Sequence, residues 1–243
     1  MNMQSLRPLF GALALAATLA TPVLAAPAMD PATESSLKTL LAGPQRGSAN
    51  KVRDDYRHPL ETLKFFGLTE NMAVLEVAPG GGWWKEFLEP LLKAKGRYVG
   101  ANFKASSEPV EPGSMDMVLT FRNIHNWMGG GSAKGMFDVM YKSLKPGGYL
   151  GVEEHRGLTT VEQDPKAASG YVREDYAIKL IESAGFKLVA RSDINANPKD
   201  TKDYPKGVWT LPPNYAEGDK DRGKFTAIGE SDRFTLLFQK PAR

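Results

Sequence analysis

Histidine and arginine side chains follow two apolar segments of the sequence, where they could take part in proton chemistry. Arg122 and His125 come shortly after one such segment, and His155 comes shortly after another. The imidazole pKa lies near neutrality, so a histidine in such a place could take a proton from a reacting molecule. We therefore predict that His125, His155 and Arg122 form the catalytic part of a site. His58, the third histidine of the chain, is expected on the same side.

The same histidines allow two other interpretations. Two imidazoles and a carboxylate, here from Glu153 or Glu154, are a workable set of metal ligands. The chain lacks the short two-histidine spacing that is typical of such sites, so we predict no metal. In the other interpretation each histidine simply forms a hydrogen bond with a loop backbone.

A run of three glycines could bring the backbone close to a ligand. Gly80, Gly81 and Gly82 directly follow an apolar segment at residues 73–77. Glycine has no Cβ, so the chain can turn sharply there and leave room for a bound molecule. Such a turn could equally serve only to pack the next helix tightly on a sheet. Taken by themselves, the glycines leave both interpretations open.

Predicted strands and helices alternate along residues 53–243. Strands are predicted at residues 73–77, 97–101, 117–121, 149–152, 186–191 and 234–238, and the helices include residues 136–144 and 174–184. This alternation predicts parallel strands with helices on both faces and a ligand site at the carboxyl ends of the strands. We therefore predict a doubly wound α/β fold, with the last strand closing the sheet.

The first residues have the pattern of an export signal. Arg7 carries the only charge before Asp30, an uncharged apolar stretch follows it, and Ala25 ends a segment that fits a cleavage site. We predict that residues 1–25 are a signal peptide and that the protein is periplasmic or secreted. The alternative is an uncleaved membrane anchor, but the apolar stretch is short for a span of roughly 20 residues. Residues 26–52 are predicted to be a loose N-terminal arm with one short helix.

The composition excludes several classes of protein. The chain has 243 residues, with 31 Lys and Arg against 28 Asp and Glu, and its net charge of +3 is too small for a typical nucleic-acid binder. The absence of cysteine excludes a disulfide scaffold, a catalytic thiol and a cysteine-ligated zinc site. No stretch after residue 25 is apolar enough to cross a membrane. A small molecule is therefore the expected ligand.

Three motifs, taken in order, resemble the class I S-adenosylmethionine-dependent methyltransferase superfamily. They are Glu76 with the glycine turn, the segment at residues 121–127, and the Lys-Pro-Gly-Gly turn at residues 145–148. The resemblance is strongest to exported, predicted bacterial methyltransferases, which share the Arg-His-Pro of residues 57–59 and the Pro-Gly-Gly-Gly-Trp of residues 79–83. It implies a mostly parallel Rossmann-like sheet, S-adenosylmethionine as the cofactor and methylation of an unidentified small molecule.

The resemblance also implies which residues hold the cofactor. The glycines would line its methionine half, where helix amide groups meet a carboxylate. Asn102 stands where the family places the carboxylate that binds the ribose. The predicted cofactor-binding residues are Glu76, Gly80, Gly81, Gly82, Asn102 and Asn123.

Two features depart from the family pattern. Asn102 is a neutral acceptor, which makes a weaker hydrogen bond to a hydroxyl group than a carboxylate does. Residues 103–115 are too few for the helix, strand and helix that the family places there, so we predict that the third strand and its flanking helices are missing. The alternative function is therefore a non-catalytic exported ligand-binding module on a degenerate methyltransferase fold.

Two further segments have no clear assignment from the sequence. Residues 195–213 form a long polar and proline-rich connection, which is either a wall of the site or a solvated linker. Residues 229–233 contain Ser231 but lack the Gly-x-Ser-x-Gly pattern of a nucleophile turn and precede a strand. We therefore assign no catalytic role to Ser231.

Overall fold

The structure is a computed structural model that describes residues 26–242. The predicted signal peptide, residues 1–25, lies outside the described residues. The strands are β1 (Ala73–Val77), β2 (Arg97–Ala101), β3 (Met115–Phe121), β4 (Leu144–His155), β5 (Lys187–Ser192) and β6 (Arg233–Gln239). The helices are α1 (Pro31–Ala42), α2 (Ser48–Lys51), α3 (Asp54–Arg57), α4 (Pro59–Phe66), α5 (Lys85–Leu92), α6 (Ile124–Gly129), α7 (Ala133–Ser143), α8 (Glu174–Glu182) and α9 (Arg222–Ile228). Within the described range, no helix is both long and apolar enough to cross a membrane.

The six strands form one sheet in the order β2-β1-β3-β4-β6-β5. The first four strands of this order are parallel, and β6 runs antiparallel to both β4 and β5. This arrangement confirms the predicted doubly wound, mostly parallel α/β fold. Residues 102–114 contain no helix or strand, so the third strand of the family pattern is missing, as predicted.

The position of β6 differs from our prediction. We expected this strand to close the sheet, but it lies between β4 and β5. Six of its seven residues, 233–238, are buried, which is possible only for a strand with neighbours on both sides and layers on both faces. The apolar segment at residues 234–238 therefore belongs to the interior of the sheet.

Helices cover both faces of the sheet and enclose two apolar cores. On one face α6, α7 and α8 contribute side chains such as Trp127, Phe137 and Ile178. On the other face α1, α4 and α5 contribute Leu37, Phe66 and Phe87. Because both layers hold the same sheet, the loops at the carboxyl ends of β1, β3 and β4 are anchored on a rigid support.

Residues 26–52 pack more closely than the predicted loose arm. Helix α1 runs for 12 residues, and Leu37 on it is fully buried in the core. Asp30 caps the helix by accepting a hydrogen bond of 2.9 Å from the Thr33 amide, and Pro31 occupies the first helical turn. Helix α1 contacts α4 and α5, so part of this segment belongs to the domain that we had placed at residues 53–243.

Candidate functional site

A cavity of about 310 Å³ lies at the carboxyl ends of the parallel strands, and we call it the strand-end cavity. Its size is at the lower end of the range for small-molecule sites. Its lining side chains and backbone come from residues within five segments, 50–57, 76–84, 121–125, 208–214 and 230–233, together with His155. Residues 208–214 include the end of the segment for which we left open a wall or a linker, and they form a wall. The cavity occupies the place where doubly wound folds bind ligands.

The glycine turn presents bare backbone to the strand-end cavity. Gly80 and Gly81 line the cavity, and a Cβ added to either would meet no other atom within 4 Å. Ala78, just before the turn, has a φ of +51°, a conformation that normally favours glycine. Gly82 does not line the cavity; its φ of +77° serves the turn into α5. The backbone at Gly80 and Gly81 therefore leaves room for a ligand.

Glu76 lies on the floor of the cavity and is almost fully buried. Its Oε2 atom accepts a hydrogen bond of 2.6 Å from the Tyr98 hydroxyl group on β2. Burial raises the pKa of Glu76 to about 7, although the Tyr98 hydrogen bond acts in the opposite direction. The carboxyl group can therefore be protonated or charged near neutral pH.

The two predicted asparagine ligands lie in different surroundings. Asn123 lines the cavity, and its Nδ2 atom donates hydrogen bonds of 3.1 Å to Val77 O and to Thr120 Oγ1. Asn123 therefore ties the end of β3 to the end of β1 and fixes the start of the glycine turn. Asn102 is exposed and lies outside the lining of the cavity. The structure thus does not bring Asn102 together with the other predicted ligands.

His125 forms a hydrogen-bonded pair with the fully buried carboxylate of Glu154. The Nδ1 atom of His125 lies 3.0 Å from Glu154 Oε1, and the His125 amide donates to Glu154 Oε2 at 3.2 Å. A carboxylate accepts hydrogen bonds, so this contact assigns the proton to Nδ1 and leaves Nε2 as the basic nitrogen. The sequence had placed Glu154 at this edge only as a metal-ligand candidate; its role as a partner of His125 depends on side-chain orientation.

His155 lies beside His125, with 5.3 Å between the ring centres. Its Nδ1 atom is 2.5 Å from the Ser231 Oγ atom, so Ser231 belongs to the site although the sequence pattern gave it no role. Burial, followed by the nearby His125 and Arg122, lowers the pKa of His155 well below its usual value. His155 is therefore neutral at pH 7, and His125 is the histidine of the pair with a carboxylate to support a positive charge.

The third histidine does not join this group. His58 lies outside the lining of the strand-end cavity, and its Nδ1 atom is 3.2 Å from Asn195 Oδ1. His58 stands at the junction of α3 and α4, directly before Pro59, and has a φ of +39°. His58 therefore does not line the cavity with the other two histidines, although its neighbour Arg57 does.

His125, Glu154 and His155 also present possible ligand atoms within 4.8 Å of one another. Glu154 Oε1, however, accepts hydrogen bonds from His125 Nδ1 and from the His155 amide at 2.8 Å, and its second oxygen is occupied as well. Both oxygens of Glu154 therefore already accept hydrogen bonds from protein donors. In this arrangement Glu154 is the hydrogen-bond partner of His125.

Four arginines line the cavity, and only one of them, Arg122, is predicted from the sequence to belong to the site. Arg53, Arg57, Arg122 and Arg233 all line it. Glu230 accepts hydrogen bonds from Arg53 Nε at 2.6 Å and from Arg233. Burial alone would raise the pKa of Glu230, but the Arg233 and Arg57 charges lower it to about 2. A signal for this cluster exists in the sequence, since Glu230 and Arg233 are charged residues at the start of a strongly apolar strand.

Comparisons with known proteins agree with the fold. No protein-family model matches the chain, and no curated protein matches it. An S-adenosylmethionine-dependent methyltransferase from Aquifex aeolicus has 16% identity and a TM-score of 0.54, over 85% of this chain and 98% of that one. The 4+2 cyclase SpnF has 15% identity and a TM-score of 0.53, over 92% of this chain and 100% of that one. The chain therefore has the class I fold of S-adenosylmethionine-dependent methyltransferases.

Proposed function

We propose that the protein is an S-adenosylmethionine-dependent methyltransferase that acts on a small molecule. The observation that carries this proposal is the presence, in one cavity, of the bare glycine turn and the His125–Glu154 pair. The turn offers a place for the methionine half of the cofactor, and the pair offers a base for the methyl acceptor. The fold of the chain supports the same assignment, since structures with this fold include methyltransferases.

The residues of the cavity fit one half of the cofactor. Gly80 and Gly81 leave space beside the backbone, and Asn123 holds the turn in place from β3. When bound, the cofactor supplies a methyl group on a positively charged sulfur. The backbone of the turn would hold the methionine half so that this methyl group faces the interior of the cavity, and correct alignment of this kind accounts for much of the rate of a group transfer.

His125 would act on the acceptor. Its Nε2 atom would take the proton of an acceptor hydroxyl or amine, which leaves the acceptor atom free to receive the methyl group that the cofactor would supply. Glu154 keeps the ring of His125 in the required orientation and stabilises the positive charge that it gains. Trp209, whose ring centre lies 5.9 Å from that of His125, covers this part of the cavity.

A ligand-binding protein without catalysis is the second candidate. Asn102 is exposed outside the cavity, and residues 102–114 form no strand, so the side where the family binds the ribose is incomplete. The similarity to SpnF, which is named a cyclase, is in keeping with a use of the fold other than methyl transfer.

Calorimetric titration with S-adenosylmethionine and S-adenosylhomocysteine tests the proposed function. We expect both to bind, and Gly80→Asp to weaken binding at least about tenfold because the new carboxylate fills the space beside the turn and repels the carboxylate of the cofactor. Gly147→Asp is the matched control, since Gly147 also has a positive φ and open space but lies outside the cavity lining.

The titration also separates the two candidates. Absence of heat with both compounds at millimolar concentration contradicts the methyltransferase proposal and favours the binding protein. Equal binding by the two aspartate variants would place the cofactor elsewhere than the glycine turn. If the compounds bind, release of S-adenosylhomocysteine in the presence of small-molecule acceptors distinguishes an enzyme from a protein that only binds.

A further inference from the structure

One part of the lining of the strand-end cavity carries more positive than negative charge. Four guanidinium groups line it, and they are those of Arg53, Arg57, Arg122 and Arg233. Two carboxylates, of Glu230 and Glu153, are paired with this cluster. Glu154 is engaged with His125, and the pKa of Glu76 is about 7, so neither fully offsets the excess. The four guanidinium groups are therefore only partly neutralised by carboxylates.

Several of these guanidinium groups have donors without an acceptor. The Nη2 atoms of Arg53 and Arg57 and the Nε atom of Arg233 are buried and have no hydrogen-bond partner in the described part of the chain. Buried donors without acceptors are costly, so a protein retains them where a ligand or a rearrangement satisfies them. The cluster therefore has spare capacity to bind an anion.

Arg122 is the member best placed to contact a ligand. It is only half-buried, it lines the cavity, and within residues 26–242 it forms no ion pair shorter than 4 Å. Its φ of +60° is uncommon for a residue with a side chain, and backbone strain of this kind is often found at functional sites. The main negative charges near it are Glu153 and Glu230, both already held by Arg233.

Arg57 is destabilised by its burial close to the other arginines of the cluster. It is 2% exposed, and its guanidinium carbon lies 4.6 Å from the ring centre of Trp83. Burial, together with repulsion from Arg122, lowers the pKa of Arg57 to about 8. A guanidinium group keeps its proton in proteins, so the burial and repulsion of the Arg57 charge destabilise the unliganded protein. An anion bound next to Arg122 would relieve this destabilisation.

Another part of the cavity lining is apolar. Trp209, Pro212 and Pro213 form one wall. Trp84 and Phe121 form another, with their rings stacked at 3.9 Å between centres. A ligand that fills this space must therefore have an apolar body as well as a charged end.

We propose that the methyl acceptor is an organic anion, whose carboxylate or phosphate group binds Arg122 and whose apolar body lies between the aromatic walls. The description of this ligand as an acceptor rests on the proposed function; its binding does not. A negative charge at this place also offsets the repulsion between the arginines and the positive sulfur of the cofactor. The acceptor hydroxyl or amine then lies on the His125 side of the cavity, where the base is.

Calorimetric titration of the full chain with benzoate and phenyl phosphate tests this proposal, with benzyl alcohol as the neutral analogue. We expect at least one of the two anions to bind about tenfold or more tightly than benzyl alcohol, because a hydrogen bond to a charged group is worth this much. Arg122→Gln should weaken anion binding by a similar factor. Arg191→Gln is the matched control, since Arg191 is 60% exposed on β5 and lies outside the cavity lining.

Arg122→Gln has a second readout that does not depend on any ligand. Burial and the charges of Arg233 and Arg57 disfavour the positive charge of Arg122 more than Glu153 and Glu230 favour it, so its removal should raise the unfolding temperature of the unliganded protein relative to Arg191→Gln. Anions that bind no better than benzyl alcohol, or equally well to both variants, would overturn the proposal.

The same titrations, repeated with saturating S-adenosylhomocysteine, separate an acceptor from the cofactor's own carboxylate. We expect the anion still to bind, and displacement by S-adenosylhomocysteine would overturn its assignment to the acceptor. Anion binding without any cofactor binding would leave the anion site in place and contradict only the proposed function. Cofactor binding without a preference for anions would contradict only this inference.

Discussion

A buried carboxyl group on the floor of the strand-end cavity links the chemistry of the site to the stability of the protein. Glu76 has one hydrogen-bond donor, Tyr98, and little access to water. Its pKa in the folded protein, about 7, lies above the usual value of 4.5. The folded state therefore holds a proton that the unfolded chain releases at lower pH, and deprotonation of Glu76 costs folding free energy.

We predict that the free energy of unfolding falls as the pH rises from about 4.5 to about 7 and that Glu76→Gln removes this part of the slope. Glutamine stays neutral and can still accept the Tyr98 hydrogen bond, so the variant should be the more stable protein at pH 8, by about 3 kcal/mol at most. Urea unfolding at a series of pH values measures the effect. Glu89→Gln, at an exposed position of α5, is the control, and equal slopes for wild type and Glu76→Gln would contradict the prediction.

The sequence predicts which charged and polar residues belong to the site, but not which side chains they form hydrogen bonds with. His125, His155 and Arg122 lie in one cavity because they stand at or just after the carboxyl ends of two neighbouring strands, which a strand pattern can predict. The contacts of Glu154 and Ser231 could not be predicted in this way. They depend on side-chain direction and on loops that return to the sheet from distant parts of the chain.

Asn102 is a residue whose spacing in the sequence predicts a role in the site that its position in the structure does not support. Its spacing from the glycine turn matched the position of a ribose ligand, but spacing does not say whether a side chain points to the cavity or to solvent. Without the third strand and its helices, nothing in residues 102–114 holds this side chain over the site. A position in a motif thus predicts a function only if the elements around it are also present.

At the scale of elements, α1 is an integral part of the core and not an added arm. Leu37 is fully buried among the side chains of one face of the sheet. We predict that Leu37→Ala lowers the free energy of unfolding by about 2–5 kcal/mol, the usual cost of a cavity in a core. Thermal or urea unfolding measures it, with Leu158→Ala at a 43% exposed position as the control. A loss no larger than that of the control would mean that α1 is detached in solution.

The pattern of apolar residues predicts the strands more accurately than the short helices. The bounds of β1 and β2 agree with the prediction, because short apolar runs between turn residues mark them clearly. The sequence predicts only a short helix where the 12-residue α1 stands. The residues that mark α1 are its N-cap, Asp30, and the following Pro31, and it has no strong apolar stripe. Helices α6 and α9 have only six and seven residues, too few for a helical period to stand out.

At the scale of the whole molecule, the order of the strands predicts how its stability is distributed. β1, β3, β4 and β6 have neighbours on both sides, whereas β2 and β5 are at the edges. We predict slow amide hydrogen exchange in the four inner strands and faster exchange in the outer amides of β2 and β5, since edge hydrogen bonds open locally. Hydrogen exchange followed by mass spectrometry or NMR measures this. Protection of β2 equal to that of β3 would contradict the prediction and indicate that another chain covers that edge.

The interior position of β6 has a consequence for the nascent chain. Its first residue follows the last residue of β5 by 41 positions (233 − 192), yet β6 separates β5 from β4. At a translation rate of about 5–20 residues per second, the ribosome completes β4 and β5 at least about 2 seconds before it reaches β6. During that interval both strands have an unpaired edge, and premature pairing between them would exclude β6. Correct folding therefore requires that β4 and β5 are not stably paired with each other when β6 becomes available.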